Sequence, residues 1–243
     1  MGSAGDARAV QLAELRRRMA AVPARGVEVV ERPPTSDELR RELLPVPPAL
    51  AGLLPEGGMP KGAVVAYSGA GSLLTGLLAA VTGGGGYAAA VGLPRLGLLA
   101  AAEMGADLGR LAVVTEPGPD PVEVAAVLLD GLDLVVVGLA GMSVPPSRTR
   151  ILAARARSKG ATLVVTGGAW SGPTLRIDTR VAGYSGLGRG RGRLRSVRLN
   201  VCVRGRSAPE RTGTLDLCPR DGRVEWLVPE SDSPPTALSA VGA

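Results

Sequence analysis

The stretch with the most chemical meaning is Ser68-Gly-Ala-Gly-Ser-Leu-Leu-Thr75, which follows the aliphatic run Ala63-Val-Val-Ala-Tyr67 and leads into a helical pattern. A strand, a glycine turn and a helix in that order are where backbone N–H groups and a helix N-terminus can cradle phosphate. Phosphoryl chemistry at such a turn also needs a second glycine, a lysine for the outer phosphates and a Ser or Thr for magnesium. On that spacing Ser68 stands at the first glycine, Leu73 at the second and Leu74 at the lysine; Gly69 and Gly71 lie between, and only Thr75 fits. An aliphatic side chain cannot supply the positive charge that phosphoryl transfer uses. The magnesium-binding acid belongs at the end of a later aliphatic strand, yet Leu134-Val-Val-Val137 is followed by Gly138. The pattern leaves room for the shape of a phosphate loop and removes its chemistry, so neither catalysis nor a cofactor is expected. A plain strand-to-helix turn, never a nucleotide site, accounts for the same spacing.

Other chemistries are narrowed by composition. The 243 residues contain no His, which removes Ser-His-Asp and Cys-His catalysis and the usual neutral-pH general base. Two cysteines, Cys202 and Cys218, cannot assemble a four-ligand zinc site without His. With no Phe, three Tyr and two Trp, the chain lacks the rings of a stacking platform for single-stranded nucleic acid, so Trp170 and Trp226 are read as packing residues.

Charge is more informative by place than in total. Residues 141–228 hold seventeen basic and five acidic side chains, whereas 61–140 hold three basic and seven acidic. The segment Arg189-Gly-Arg-Gly-Arg-Leu-Arg-Ser-Val-Arg198, continuing to Arg204 and Arg206, has seven Arg and no acid. At period two Arg189, Arg191, Arg193 and Arg195 share a strand face that Val197, Leu199, Val201 and Val203 continue into the core. A strand leaving its sheet as a basic, flexible hairpin is expected. Contact with DNA phosphates, contact with an acidic partner and a solvated edge that deters pairing all stay open for this cluster.

These residues need a scaffold. Leu12, Leu15, Met19 and Val22 fall on one face of a helix over 7–22, a candidate partner helix. A Pro-rich connector over 23–52 includes a possible short helix at Ser36–Leu43, and the compact domain is expected over 53–228. There, aliphatic runs at 63–67, 87–91, 111–115, 134–137 and 162–166 read as strands buried on both faces. Helical stretches at 73–81, 96–104, 122–129 and 147–158 alternate with them, which indicates a parallel sheet covered by helices. Runs at 175–181, 194–203, 213–217 and 223–228 read as antiparallel strands extending the sheet. Residues 229–243 are Ser-, Pro- and Ala-rich and expected to be disordered. Gly62 to Pro94 is uncharged, but Gly83 to Gly86 divide it, so a strand, a turn and a buried helix are preferred to a membrane span. The first twenty residues carry Asp6, Glu14 and Arg16 to Arg18, so no signal peptide is read there.

The segment Leu54-Pro-Glu-Gly-Gly-Met-Pro-Lys-Gly-Ala-Val-Val-Ala-Tyr67 resembles the lead-in to the bacterial RecA core, and Ala102-Glu-Met-Gly-Ala-Asp-Leu-Gly-Arg-Leu-Ala-Val-Val114 resembles a later RecA helix-turn-strand segment. The resemblance runs over about 53–228. Among RecA relatives the degenerate loop, small size and Arg-rich end look most like the ImuA and ImuA-prime family. That resemblance implies an α/β fold with a RecA-like core. It also implies a non-catalytic accessory role in a mutasome, the assembly for DNA-damage-induced, error-prone (SOS) translesion synthesis. The implied partner is an ImuB-like relative of Y-family polymerases, with RecA and DNA as further candidates. The implied location is the cytoplasm, at the nucleoid when DNA is damaged. RecA's catalytic Glu has no counterpart in Val91-Gly-Leu-Pro-Arg95, and the stretches at its two DNA-binding loops, 140–147 and 167–173, are short. RecA packs an N-terminal helix on a neighbouring protomer, the place held here by the Leu12, Leu15 and Met19 helix. Two other readings remain, a RecA-like ATP-binding or weakly hydrolysing protein of DNA repair and a stand-alone basic DNA-binding module.

Overall fold

A computed structural model describes residues 43–188, 191–206 and 208–229, all within the compact unit Thr35–Ala243. The expected helix over 7–22 and all of the C-terminal tail except Pro229 lie outside the described residues. The strands are β1 (Leu43–Leu44), β2 (Met59–Pro60), β3 (Val64–Ser68), β4 (Ala88–Val91), β5 (Leu111–Val114), β6 (Leu134–Gly138), β7 (Thr162–Thr166), β8 (Leu175–Gly188), β9 (Arg191–Gly205), β10 (Arg211–Arg220) and β11 (Arg223–Leu227). The helices are α1 (Pro48–Ala51), α2 (Gly71–Gly83), α3 (Leu98–Glu103), α4 (Pro121–Leu128) and α5 (Pro146–Lys159).

Nine strands form one mixed sheet in the order β11-β10-β9-β8-β3-β7-β6-β4-β5. Pairing is parallel from β5 to β8 and antiparallel from β8 to β11. The fold is thus α/β, parallel in its core and antiparallel at its C-terminal end. Period-two alternation divides the core between the sheet's faces. Val65 and Tyr67 join Leu73, Leu77 and Leu78 of α2 and Leu50 of α1, whereas Val64 and Ala66 join Val122 and Ala125 of α4 and Leu152 and Ala156 of α5. Expected double-sided burial holds for β4 and β6 but not for β5, which lies at the edge with Ala112 exposed. Residues 43–52, expected in the connector, already form β1 and α1 and bury Leu44 and Leu50.

Helix boundaries follow local chemistry. The Asp120 carboxylate accepts the N–H groups of Val122 (3.1 Å) and Glu123 (3.2 Å) at the start of α4, with Pro121 in the first turn. Pro146 opens α5, and Gly160 at φ 66° closes it. Helix α2 carries no charge and is buried nearly all round, the pattern of a helix covered on more than its sheet side. Part of that cover is Trp226 of β11, whose buried indole N–H has no acceptor among the described residues.

Two glycines of α2 should respond oppositely to alanine. A Cβ at Gly76 would lie 2.5 Å from Trp226 Nε1, so Gly76→Ala is expected to destabilise by about 1–3 kcal/mol through overpacking, despite better helix propensity. A Cβ at Gly71 meets nothing within 4 Å, so Gly71→Ala should be neutral or stabilising by about 0.5 kcal/mol. Urea unfolding followed by tryptophan emission reads both. Equal effects at the two positions would contradict the packing of Trp226 on α2.

Candidate functional site

The carboxyl ends of parallel strands, where the strand order reverses, are the usual ligand crevice of an open α/β sheet. Here that place is the β3–α2 turn, with β7 on one side of β3 and β8 on the other. The turn is short, because α2 starts at Gly71 and winds the remaining residues of the motif into its first turns. Leu73 is 0% and Leu74 5% exposed, both in the core, and the Thr75 hydroxyl donates to Gly71 O (3.1 Å) rather than facing outward. The loop shape that the sequence leaves room for is therefore absent: the aliphatic residues at 73 and 74 favour burial, and burial pulls the helix start back to Gly71.

What remains of the turn is closed by β8. The Thr179 hydroxyl accepts the Ala70 N–H (2.7 Å), lies 3.0 Å from Ser68 O and 3.0 Å from the Tyr67 hydroxyl. The Tyr67 hydroxyl also donates to Ala70 O. Burial pushes the Tyr67 phenol well above its ordinary pKa, partly offset by the Thr179 bond, so it stays a proton donor. Gly69, at φ 103°, packs so closely on the Thr179 carbonyl that a Cβ there would overlap it. At the rim, Ser68 Oγ donates to Asp178 Oδ1 (2.6 Å). The N–H that would meet a phosphate oxygen is held by a protein hydroxyl.

The second expected vacancy is filled as well. A Cβ at Gly138 would meet Gly92 O at 2.5 Å and Leu93 Cδ2 at 2.9 Å, so the position of the missing acid has no room for a side chain. The two stretches expected at DNA-binding loops pair with each other. Val144 N donates to Ala169 O (3.1 Å), Ala169 N to Met142 O (3.0 Å), and Ser143 and Ala169 form a parallel bridge. The second stretch links β7 to β8 on the far side of β3 and buries Trp170 in the core shared with α4 and α5, which anchors it.

The arginine cluster divides into held and free members. Arg198 forms a two-pronged ion pair with Asp216 (2.7 Å on each prong) that raises its pKa. Arg204 Nε donates to Glu210 (2.7 Å) and the guanidinium lies 3.5 Å from Asp178, while Arg206 donates to Gly172 O (2.8 Å). Arg193 and Arg195 are exposed, Arg189 lies outside the described residues, and only the backbone of Arg191 is described. Sequence reasoning did not find Thr179 or the carboxylates Asp178, Glu210 and Asp216: Thr179 and Asp178 arrive through strands far apart in the chain, Asp216 through the β9–β10 register, and Glu210 through the turn after β9. The expected partner residues Leu12, Leu15 and Met19 lie outside the described residues.

Residues 52–172 match the model of a protein family described as MT3502 N-terminal domain. Over 163 residues the chain is 54% identical to the uncharacterized protein Rv3395c of Mycobacterium tuberculosis (strain ATCC 25618 / H37Rv), an alignment covering 63% of this chain and 80% of that protein. The chain belongs to the MT3502 N-terminal domain family. The MT3502 match includes the β3–α2 turn, Gly138 and the paired loops, and it ends before β8. Thr179, which closes the turn, lies beyond the MT3502 match. Among the described residues no helix is long and apolar enough to cross a membrane.

Proposed function

We propose that this protein is a non-catalytic, RecA-like accessory factor of the ImuA type. In this reading its sheet is a RecA-like core, and it serves a damage-induced, error-prone translesion synthesis assembly through contacts with an ImuB-like polymerase relative. The observation that carries the reading is the closed β3–α2 turn: the lysine position is a core leucine, the acid position is a packed glycine, and Ala70 N–H bonds to Thr179. A nucleotide fold whose cradle is filled by its own side chains has no phosphate to position, so its work lies in the surfaces it presents. The RecA-like lead-in at Leu54–Tyr67 and the mutual pairing of the 140–147 and 167–173 stretches support the same reading and speak against filament-type DNA binding.

Calorimetric titration with magnesium ATP should give no saturable heat, and titration with the ImuB-like protein of the same cell should give a clear one. Saturable ATP binding would sink the closed-site reading and favour the ATP-binding alternative. Silence toward the polymerase relative would remove the mutasome assignment.

A further inference from the structure

The β8–β9 hairpin outgrows the sheet that carries it. β8 pairs with β3 only over Leu175–Asp178, and β9 pairs with β10 only over Val197–Val203. At the Tyr184–Val197 pair β10 still flanks β9, and from the Ser185–Ser196 pair onward the ribbon is flanked by no further described strand. An isolated two-stranded ribbon is marginal in water. Val181 (40%) and Tyr184 (42%) are exposed on the uncovered side of β8, and Leu194 (48%) on the free end itself, apolar area that a partner would cover.

We propose that the free end of this ribbon, through Arg193, Arg195 and Tyr184, is an arm that holds duplex DNA by its phosphates without reading sequence. Charge comes first. No acid occurs between Arg180 and Arg206, and the side chains of Arg193 and Arg195 engage no other described residue in an ion pair or hydrogen bond. Arg198, Arg204 and Arg206 of the same cluster are held by Asp216, by Glu210 and Asp178, and by Gly172 O, which keeps them from equal service. Spacing comes second: alternate strand residues lie about 6.8 Å apart, comparable to the step between successive phosphates of one strand, so adjacent arginines of this set can each meet one.

Thickness comes third. Gly183, Ser185, Gly186, Gly192 and Ser196 put small residues between the larger side chains of the ribbon. Two strands about 4.8 Å apart pass into a major groove about 12 Å wide. Gly186, at φ 84°, lies against the Arg193 carbonyl so closely that a Cβ would collide, and this draws the two strands together at the level of the free arginines. Forked cations at a fixed two-residue step suit the evenly repeated phosphates of a polyanion's backbone better than the irregular carboxylates of an acidic protein groove. The ribbon rises past Asp178, the residue paired with Ser68, hence from the sheet end that carries the closed turn. The proposal deepens the scaffold reading by naming what one arm holds, and rests on it only for the cellular setting.

The test uses the full chain and a fluorescently labelled random-sequence duplex, with anisotropy measured from ~50 to ~200 mM salt. The wild type should bind at low salt with an affinity that falls steeply as salt rises. Arg193→Gln with Arg195→Gln should weaken binding about tenfold or more at ~50 mM and lower the log–log salt slope by about 2, the loss of two phosphate contacts. Arg193→Lys with Arg195→Lys should keep the slope, and all three proteins should melt alike because the ribbon end lies outside the core. No duplex binding by the wild type, or an unchanged slope in the Gln pair, overturns the proposal. Binding of polyglutamate in preference to duplex overturns it as well and assigns the arm to an acidic protein. Neither result touches the ATP and polymerase titrations, so failure of the arm and failure of the mutasome reading are separable.

Discussion

Leu74→Lys, the change that returns the phosphate-binding lysine to its place in the motif, should lower stability by about 3–5 kcal/mol and yield no nucleotide binding. The position is 5% exposed and belongs to the core formed by α2, α1 and the sheet. An ammonium there either stays charged without water or gives up its proton, and both routes cost several kcal/mol beyond the lost leucine packing. That is a large share of the 5–15 kcal/mol available to a domain of this kind, roughly. The matching restoration, Gly138→Asp, meets the Gly92 carbonyl before the carboxylate is placed. The check is urea unfolding of Leu74→Lys by tryptophan emission, alongside calorimetry with magnesium ATP. A variant as stable as the wild type that binds ATP would mean that the turn opens readily and that the site is dormant rather than closed.

Thr179→Val should cost about 2–3 kcal/mol, although the shape hardly changes. The hydroxyl accepts the Ala70 N–H at 2.7 Å, and in its absence that N–H and the Tyr67 hydroxyl lose a partner in a largely dry place. Removal of one partner from a buried set is dearer than the average hydrogen bond because the remaining groups stay desolvated. Gly69→Ala attacks the same junction by sterics and left-handed strain together and should cost at least as much. For a chain of this size each kcal/mol shifts Tm by about 2–4 °C, so Thr179→Val should melt roughly 4–12 °C lower. If Thr179→Val melted with the wild type, the plug would be ornamental and the turn held by α2 alone. Phosphate or ATP binding gained by Thr179→Val would show instead that the hydroxyl is what keeps anions out.

Much of the fold was legible because aliphatic runs of strand length separated by helical stretches have few other ways to bury themselves. The runs at 134–137 and 162–166 form β6 and β7 almost residue for residue, and the Asp120-Pro121 and Lys159-Gly160 boundaries of α4 and α5 follow from local chemistry, a capping carboxylate and a left-handed glycine. The free edge at β5 was not legible, since Leu111-Ala-Val-Val114 has the composition of a buried strand and only the strand order leaves it outermost.

The candidate site divides in the same way. Local sequence by itself determined which chemistry is missing: no His anywhere, Leu at 74, Gly at 138, and arginines without acids over 189–206. Such absences need no partner to be read. Tertiary structure alone decided what occupies the emptied places and which arginines remain free, because those facts depend on pairs distant in the chain. Thr179 reaches Ala70 across 109 positions, Gly138 meets Gly92, and Asp216 takes Arg198 out of the basic cluster through the register of β9 and β10. A one-residue shift in the β3–β8 register would turn Thr179 to the opposite face and leave the turn open. Register is set by the whole sheet's burial, and no short stretch of sequence carries it.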